Sequence, residues 1–131
     1  MPGRTGVRGR GACHGGHTAF YAGGQGRFWC ADPAGQRYAV QLAAQGLYIG
    51  FGGACTFNGA KRAAKAIEAL PLDAIVLETD CPYMAPEPVR GTRCDSSLIR
   101  YVGEYIAQLR GISVEEVFRT TAENARRVYG L

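Results

Sequence analysis

The sequence predicts an α/β fold, and three observations carry that prediction. Short apolar runs, Leu47-Tyr48-Ile49-Gly50-Phe51 and Ala74-Ile75-Val76-Leu77, are too brief for helices and rich in strand-favouring side chains. Longer segments of helical period separate and follow them. Helix stop signals, Gly46 and Pro71, close those segments just before each run. From residue 33 the order is helix, strand, helix, strand, long loop, helices, which argues for βαβ units with parallel strands.

Taken in order, residues 1–29 are rich in Gly and Arg and show no apolar period. Ordering that much glycine is entropically costly. The segment reads as irregular or disordered, with the domain proper at 30–131. Asp32 and Pro33 read as an N-cap with Pro at the first helical position. Tyr38, Leu42 and nearby alanines then recur at helical spacing up to Gly46. A strand at 47–51 follows, and Gly52-Gly53 lets the backbone turn or approach a ligand closely. Asn58 is the expected cap of a helix from about Ala60 to Leu70. The central strand is expected at 74–79. A loop with Pro82, Pro86, Pro88 and Gly91 spans 81–96, longer than most connections. Asp95 or Ser96 opens a helix whose Leu98, Val102, Tyr105, Ile106 and Leu109 share one face, and Gly111 ends it. Ser113-x-x-Glu116 is a capping box for a short helix with Val117 and Phe118 inward. Thr120-x-x-Glu123 reads as a second box opening a last helix, which Gly130 closes.

Composition narrows the class. The 131 residues, 47% hydrophobic and 20% charged, suit one modest globular domain. No apolar run approaches the roughly 20 residues that span a bilayer, and no secretory signal is visible, so no membrane partner is expected. Five cysteines without a CxxC pair argue against a disulfide framework or structural zinc and fit a reducing cytosol. Net charge is +4, but before Lys61 the one acid is Asp32, against Arg4, Arg8, Arg10, Arg27 and Arg37. Such a segment suits phosphates. It reads as a nucleic-acid-binding arm, a disordered tail, or an out-of-frame start before a domain remnant. Arg and aromatic residues do not recur as an RGG repeat, which favours the last two. His14-x-x-His17 in Gly-rich chain lacks metal-site spacing.

The candidate chemistry sits at Glu78 and Asp80. A carboxylate leaving a buried parallel strand stands where barrels and open sheets keep their sites. Asp80 equally suits a turn cap, so both readings stand. Arg90 and Arg93 on the following loop carry planar forks suited to phosphate, or are ordinary surface arginines.

Several motifs in order resemble the TatD family of metal-dependent deoxyribonucleases. They are Tyr48-Ile49-Gly50-Phe51-Gly52-Gly53 with Thr56-Phe57, Leu77-Glu78-Thr79-Asp80-Cys81-Pro82-Tyr83, Pro86-x-Pro88-x-Arg90-Gly91-x-Arg93 and Thr121-x-Glu123-Asn124-Ala125-Arg126-Arg127. The resemblance covers Gly46 to Leu131. It implies the C-terminal strands and helices of an amidohydrolase-type TIM barrel, a fold of about 250 residues when whole. It implies that Asp80 binds a catalytic divalent metal (Mg, Mn or Zn), that DNA is the substrate, and that Arg90 and Arg93 border the phosphate. The family's HxH pair and mid-chain Glu have no counterpart here, and Trp29 and Cys30 stand where its last histidine is expected. Two readings follow: a TatD-like hydrolase, as a truncated copy, or a non-catalytic fragment or small nucleic-acid-binding module. An open half barrel would also expose a strand edge and favour self-association.

Overall fold

A computed structural model describes residues 20–23, 26–30 and 36–131 of the chain. Four strands lie side by side in chain order: β1 (Phe20–Gly23), β2 (Gly26–Cys30), β3 (Leu47–Phe51) and β4 (Ile75–Leu77). β1 runs antiparallel to β2. β2, β3 and β4 are parallel, with Trp29 opposite Ile49 and Ile49 opposite Ile75. Helix α1 (Gln36–Ala44) connects β2 to β3, and α2 (Lys61–Ala69) connects β3 to β4. Helices α3 (Ile99–Arg110) and α4 (Val114–Tyr129) complete the chain. The expected α/β alternation with parallel strands is therefore present. Each parallel strand lies beside its predecessor, the order of barrel winding rather than of a sheet that reverses midway.

Local chemistry explains where the elements differ from expectation. β1 and most of β2 fall inside the 1–29 segment that reads as irregular. Phe20-Tyr21-Ala22 and Phe28-Trp29-Cys30 are strand-favouring runs too short to reveal a period between glycines, and β3 supplies the partner that β2 needs. Residues 1–19, with His14 and His17, lie outside the described residues, as do Asp32 and Pro33. Asn58 does not cap α2: the N-cap is Ala60, without a side-chain bond, and the Ala60 N–H turns back to Phe57 O at 3.0 Å. In α1 the buried residues are Ala39 and Leu42, whereas Tyr38 is 41% exposed. Ala74 closes a 3-10 turn (Leu72–Ala74), so β4 is three residues long and ends at Leu77. The expected second capping box opens nothing, because α4 runs unbroken from Val114 to Tyr129. Val117, Thr121, Asn124 and Val128 keep one buried stripe across the proposed break, and the Thr121 hydroxyl is absorbed by Val117 O at 2.8 Å. The Ser113 box is real, with Ser113 Oγ accepting from the Glu116 N–H at 3.2 Å.

The core is shared by sheet and helices. Ile49, Phe51 and Ile75 meet Leu42 of α1, Ile67 of α2, Leu70 just after it, Val102 and Ile106 of α3 and Val117 of α4. Each such side chain, fully buried, contributes about 1.5–3 kcal/mol of hydrophobic stabilisation. Two polar side chains fix how the helices sit. Arg110 Nη1 donates to Ile67 O and Leu70 O, both at 2.6 Å, and so satisfies carbonyls at the end of α2. Asn124, 0% exposed, donates from Nδ2 to Leu72 O at 3.0 Å and to Ile75 O at 2.8 Å. That one amide ties α4 to the start of β4. Asn124→Ala strands both carbonyls and opens a small cavity, so it should destabilise the fold by about 2–4 kcal/mol. Urea denaturation followed by circular dichroism checks this.

Candidate active site

Asp80 lies three residues past the end of β4 and is exposed. The β4 ladder extends one bond further, the Glu78 N–H donating to Phe51 O at 3.0 Å. Strand periodicity therefore does not reach Asp80, and the two carboxylates differ in setting. Glu78 is half-buried, its side chain against Gly52, where a Cβ would stand 3.3 Å from Glu78 Cγ. Asp80 instead begins a turn, its carbonyl accepting the Tyr83 N–H at 2.9 Å.

The loop that follows is ordered by hydrogen bonds. Cys94 N–H donates to Pro82 O at 3.0 Å and closes its base. Val89 N–H donates to Pro86 O at 2.9 Å, and the Thr92 hydroxyl to Val89 O at 2.7 Å. The loop is also docked on the chain after β3, where a 3-10 turn spans Gly53–Thr56. Thr56, buried, donates its hydroxyl to Gly53 O at 2.6 Å and accepts the Glu87 N–H at 2.9 Å. At Gly53 the loop backbone comes so close that a Cβ would lie 2.2 Å from Met84 O and 3.0 Å from Pro86 N. Gly53 thus serves an approach by the chain's own loop, and Gly52 one by Glu78.

Arg90 and Arg93 are both exposed on this loop. The Arg90 guanidinium lies 4.0 Å from the centre of the Phe57 ring, with Glu87 Oε1 3.9 Å from its Nη1. The exposed ion pair contributes little, while the ring fixes the fork. Asp95 opens the 3-10 turn before α3: bonds from the Ser97 hydroxyl and then the Ser97 N–H hold its carboxyl below the usual range. Burial, then Glu78, pushes the Cys55 thiol up to about 12. Burial, then Cys81, Asp95 and Asp80, also raises Cys94.

The described residues alone do not make a metal centre. Among them no three His, Cys, Asp or Glu side chains gather where they could hold a metal ion. An open groove of about 310 Å³ lies between α3 and the 3-10 turn, lined by Thr56, Glu87, Tyr101 and Tyr105 among others, but it does not include Asp80. Sequence reasoning missed Thr56 as the residue that holds the loop. Its one signal was its place three residues after Gly53.

Parallel strands joined by helices, with a carboxylate and an ordered basic loop just beyond the last of them, define an α/β protein built from βαβ units. The TatD related DNase family matches residues 30–130, and the chain belongs to that family. Over 82 residues it is 42% identical to the "Uncharacterized metal-dependent hydrolase YabD" of Bacillus subtilis, which is 63% of this chain and 32% of that protein. Over 91 residues it is 41% identical to YcfH of Escherichia coli K12, similarly named, covering 70% of this chain and 34% of that protein. The fold matches YJJV, a TatD homolog from Escherichia coli K12, with a TM-score of 0.71 at 23% identity, over 79% of this chain and 40% of that one. It also matches a TatD family hydrolase from Entamoeba histolytica, with a TM-score of 0.68 at 16% identity, over 78% and 41%. The chain spans about a third of the length of the relatives it matches.

Gly53→Ala should destabilise by about 1–3 kcal/mol, because the new methyl meets loop backbone rather than a movable side chain. Urea midpoints for wild type and variant check it. Cys55 yields a pH signature. Its thiol is held protonated in the fold, so its stabilising share is complete below the ordinary value of 9.0 and is lost as pH rises toward about 12. Denaturation midpoints should fall across that window, and Cys55→Ala should flatten the slope.

Proposed function

We propose that the chain carries part of a divalent-metal-dependent hydrolase that cleaves DNA phosphodiesters. Asp80 is the proposed metal ligand, and Arg90 and Arg93 the proposed phosphate contacts. The observation that carries the reading is Asp80's place just beyond the C-terminal end of β4, within the matched residues 30–130. The family description and the names of YabD and YcfH support it. The parallel sheet is then the closing arc of a (β/α) barrel, and the remaining metal donors come from outside the described residues. Stacking on Phe57 suits Arg90 to its role, since a fixed fork loses less entropy in gripping a phosphate. A cytoplasmic setting belongs to the same proposal. No described helix is long and apolar enough to cross a membrane. Self-association through an open strand edge belongs to the same proposal.

Calorimetric titration with Mn²⁺ or Zn²⁺ tests the reading. The full chain should release or absorb binding heat that Asp80→Ala removes. Equal heats, or none in either protein, would rule out catalysis by this polypeptide.

A second reading, a nucleic-acid-binding module without catalysis, is favoured by Arg4, Arg8 and Arg10 in a segment, 1–29, that carries no acidic residue. Affinity for a fluorescent oligonucleotide should then fall steeply with salt and vanish when residues 1–19 are removed. Unchanged binding by the shortened chain would exclude it.

A further inference from the structure

We propose that Cys81 and Cys94 are a reversible dithiol pair at the base of the 81–94 loop, oxidised to a disulfide by a small-molecule disulfide of the glutathione type. The inference stands apart from the hydrolase reading, since it needs neither metal nor nucleic acid. The two cysteines sit at opposite ends of a long loop, and the fold returns one to the other. The backbone bond from Cys94 N–H to Pro82 O, at 3.0 Å, pairs the residue beside Cys81 with Cys94. Cys81 adjoins Pro82 in the chain, so the two cysteines lie either side of a backbone contact that already joins the ends of the loop. Cys81 also stands, after burial, among the groups that raise Cys94.

Their exposure gives each a role. Cys81 is exposed and meets the reagent, whereas Cys94 is 3% exposed and is reached from within the loop. The Cys81 thiolate attacks one sulfur of the reagent disulfide, forms a mixed disulfide and expels one reagent thiolate. Cys94 Sγ then attacks Cys81 Sγ, its proton passing to solvent, and expels the second reagent thiolate. Two electrons pass from the cysteine pair to the reagent, which leaves as two thiols. In a reducing compartment such a bond is transient and senses the local poise. It would clamp the loop immediately after Asp80 and hold both arginines within a closed ring.

The test uses the reduced full chain, oxidised glutathione, and alkylation with N-ethylmaleimide after denaturation. Trypsin cuts after Arg90 and Arg93, so Cys81 and Cys94 fall on different peptides. The expected result is loss of alkylation at both, with the two peptides joined by a bond that dithiothreitol breaks. Cys55, buried and held protonated, should remain fully alkylated as the internal control. In Cys81→Ser, an exposed change that spares the fold, Cys94 should stay a thiol through the same treatment. A persistent glutathione adduct on Cys81 beside a free Cys94 overturns the proposal. So does a bridge from Cys81 to Cys13, Cys30 or a second chain.

Discussion

The side-chain amide of Asn124 sets the position from which the candidate site is built. It is fully buried, and its two N–H groups are spent on Leu72 O and Ile75 O. An unpaired carbonyl in that interior would cost about 1–3 kcal/mol, so α4 and β4 hold one mutual placement. β3 then takes β4 in register, with Phe51 opposite Leu77, and the chain leaves toward Asp80 from a fixed point. The motif around Asn124 therefore builds the strand, at the end of the sheet opposite to Asp80.

A second constraint acts on the other side of Asp80. The loop after it owes its shape less to its own prolines than to its docking on the turn after β3. Thr56 bonds both Gly53 O and the Glu87 N–H, and Gly53 is bare enough for Met84 O to lie against it. Two separate strand ends are joined in this way. The family motifs around Gly52-Gly53-x-x-Thr56 and around Pro86-x-Pro88 are the two halves of one contact.

That joint explains why the site was only partly legible. The strand at 47–51, the helix ending at Gly111 and the Ser113 box could be read because periodicity and capping act within a few residues. Asn58 and Thr120 carried the right residue types for caps and cap nothing. Asn58 lost to a turn at Phe57 and Ala60, and Thr120 to a continuous buried stripe along α4. β1 and β2 escaped notice for the converse reason, since β2 becomes a strand only beside β3, and β1 only beside β2.

The sequence by itself determined the α/β order, the family and the position of Asp80 along the chain. These rest on spacing between near neighbours and on motifs that survive in linear form. Tertiary structure alone decided that Glu78 turns inward against Gly52 while Asp80 faces out, that Thr56 holds the loop, and that Cys94 returns to Pro82, beside Cys81. Each of those contacts joins residues distant in the chain but adjacent across packed backbone, and no local pattern encodes such a meeting.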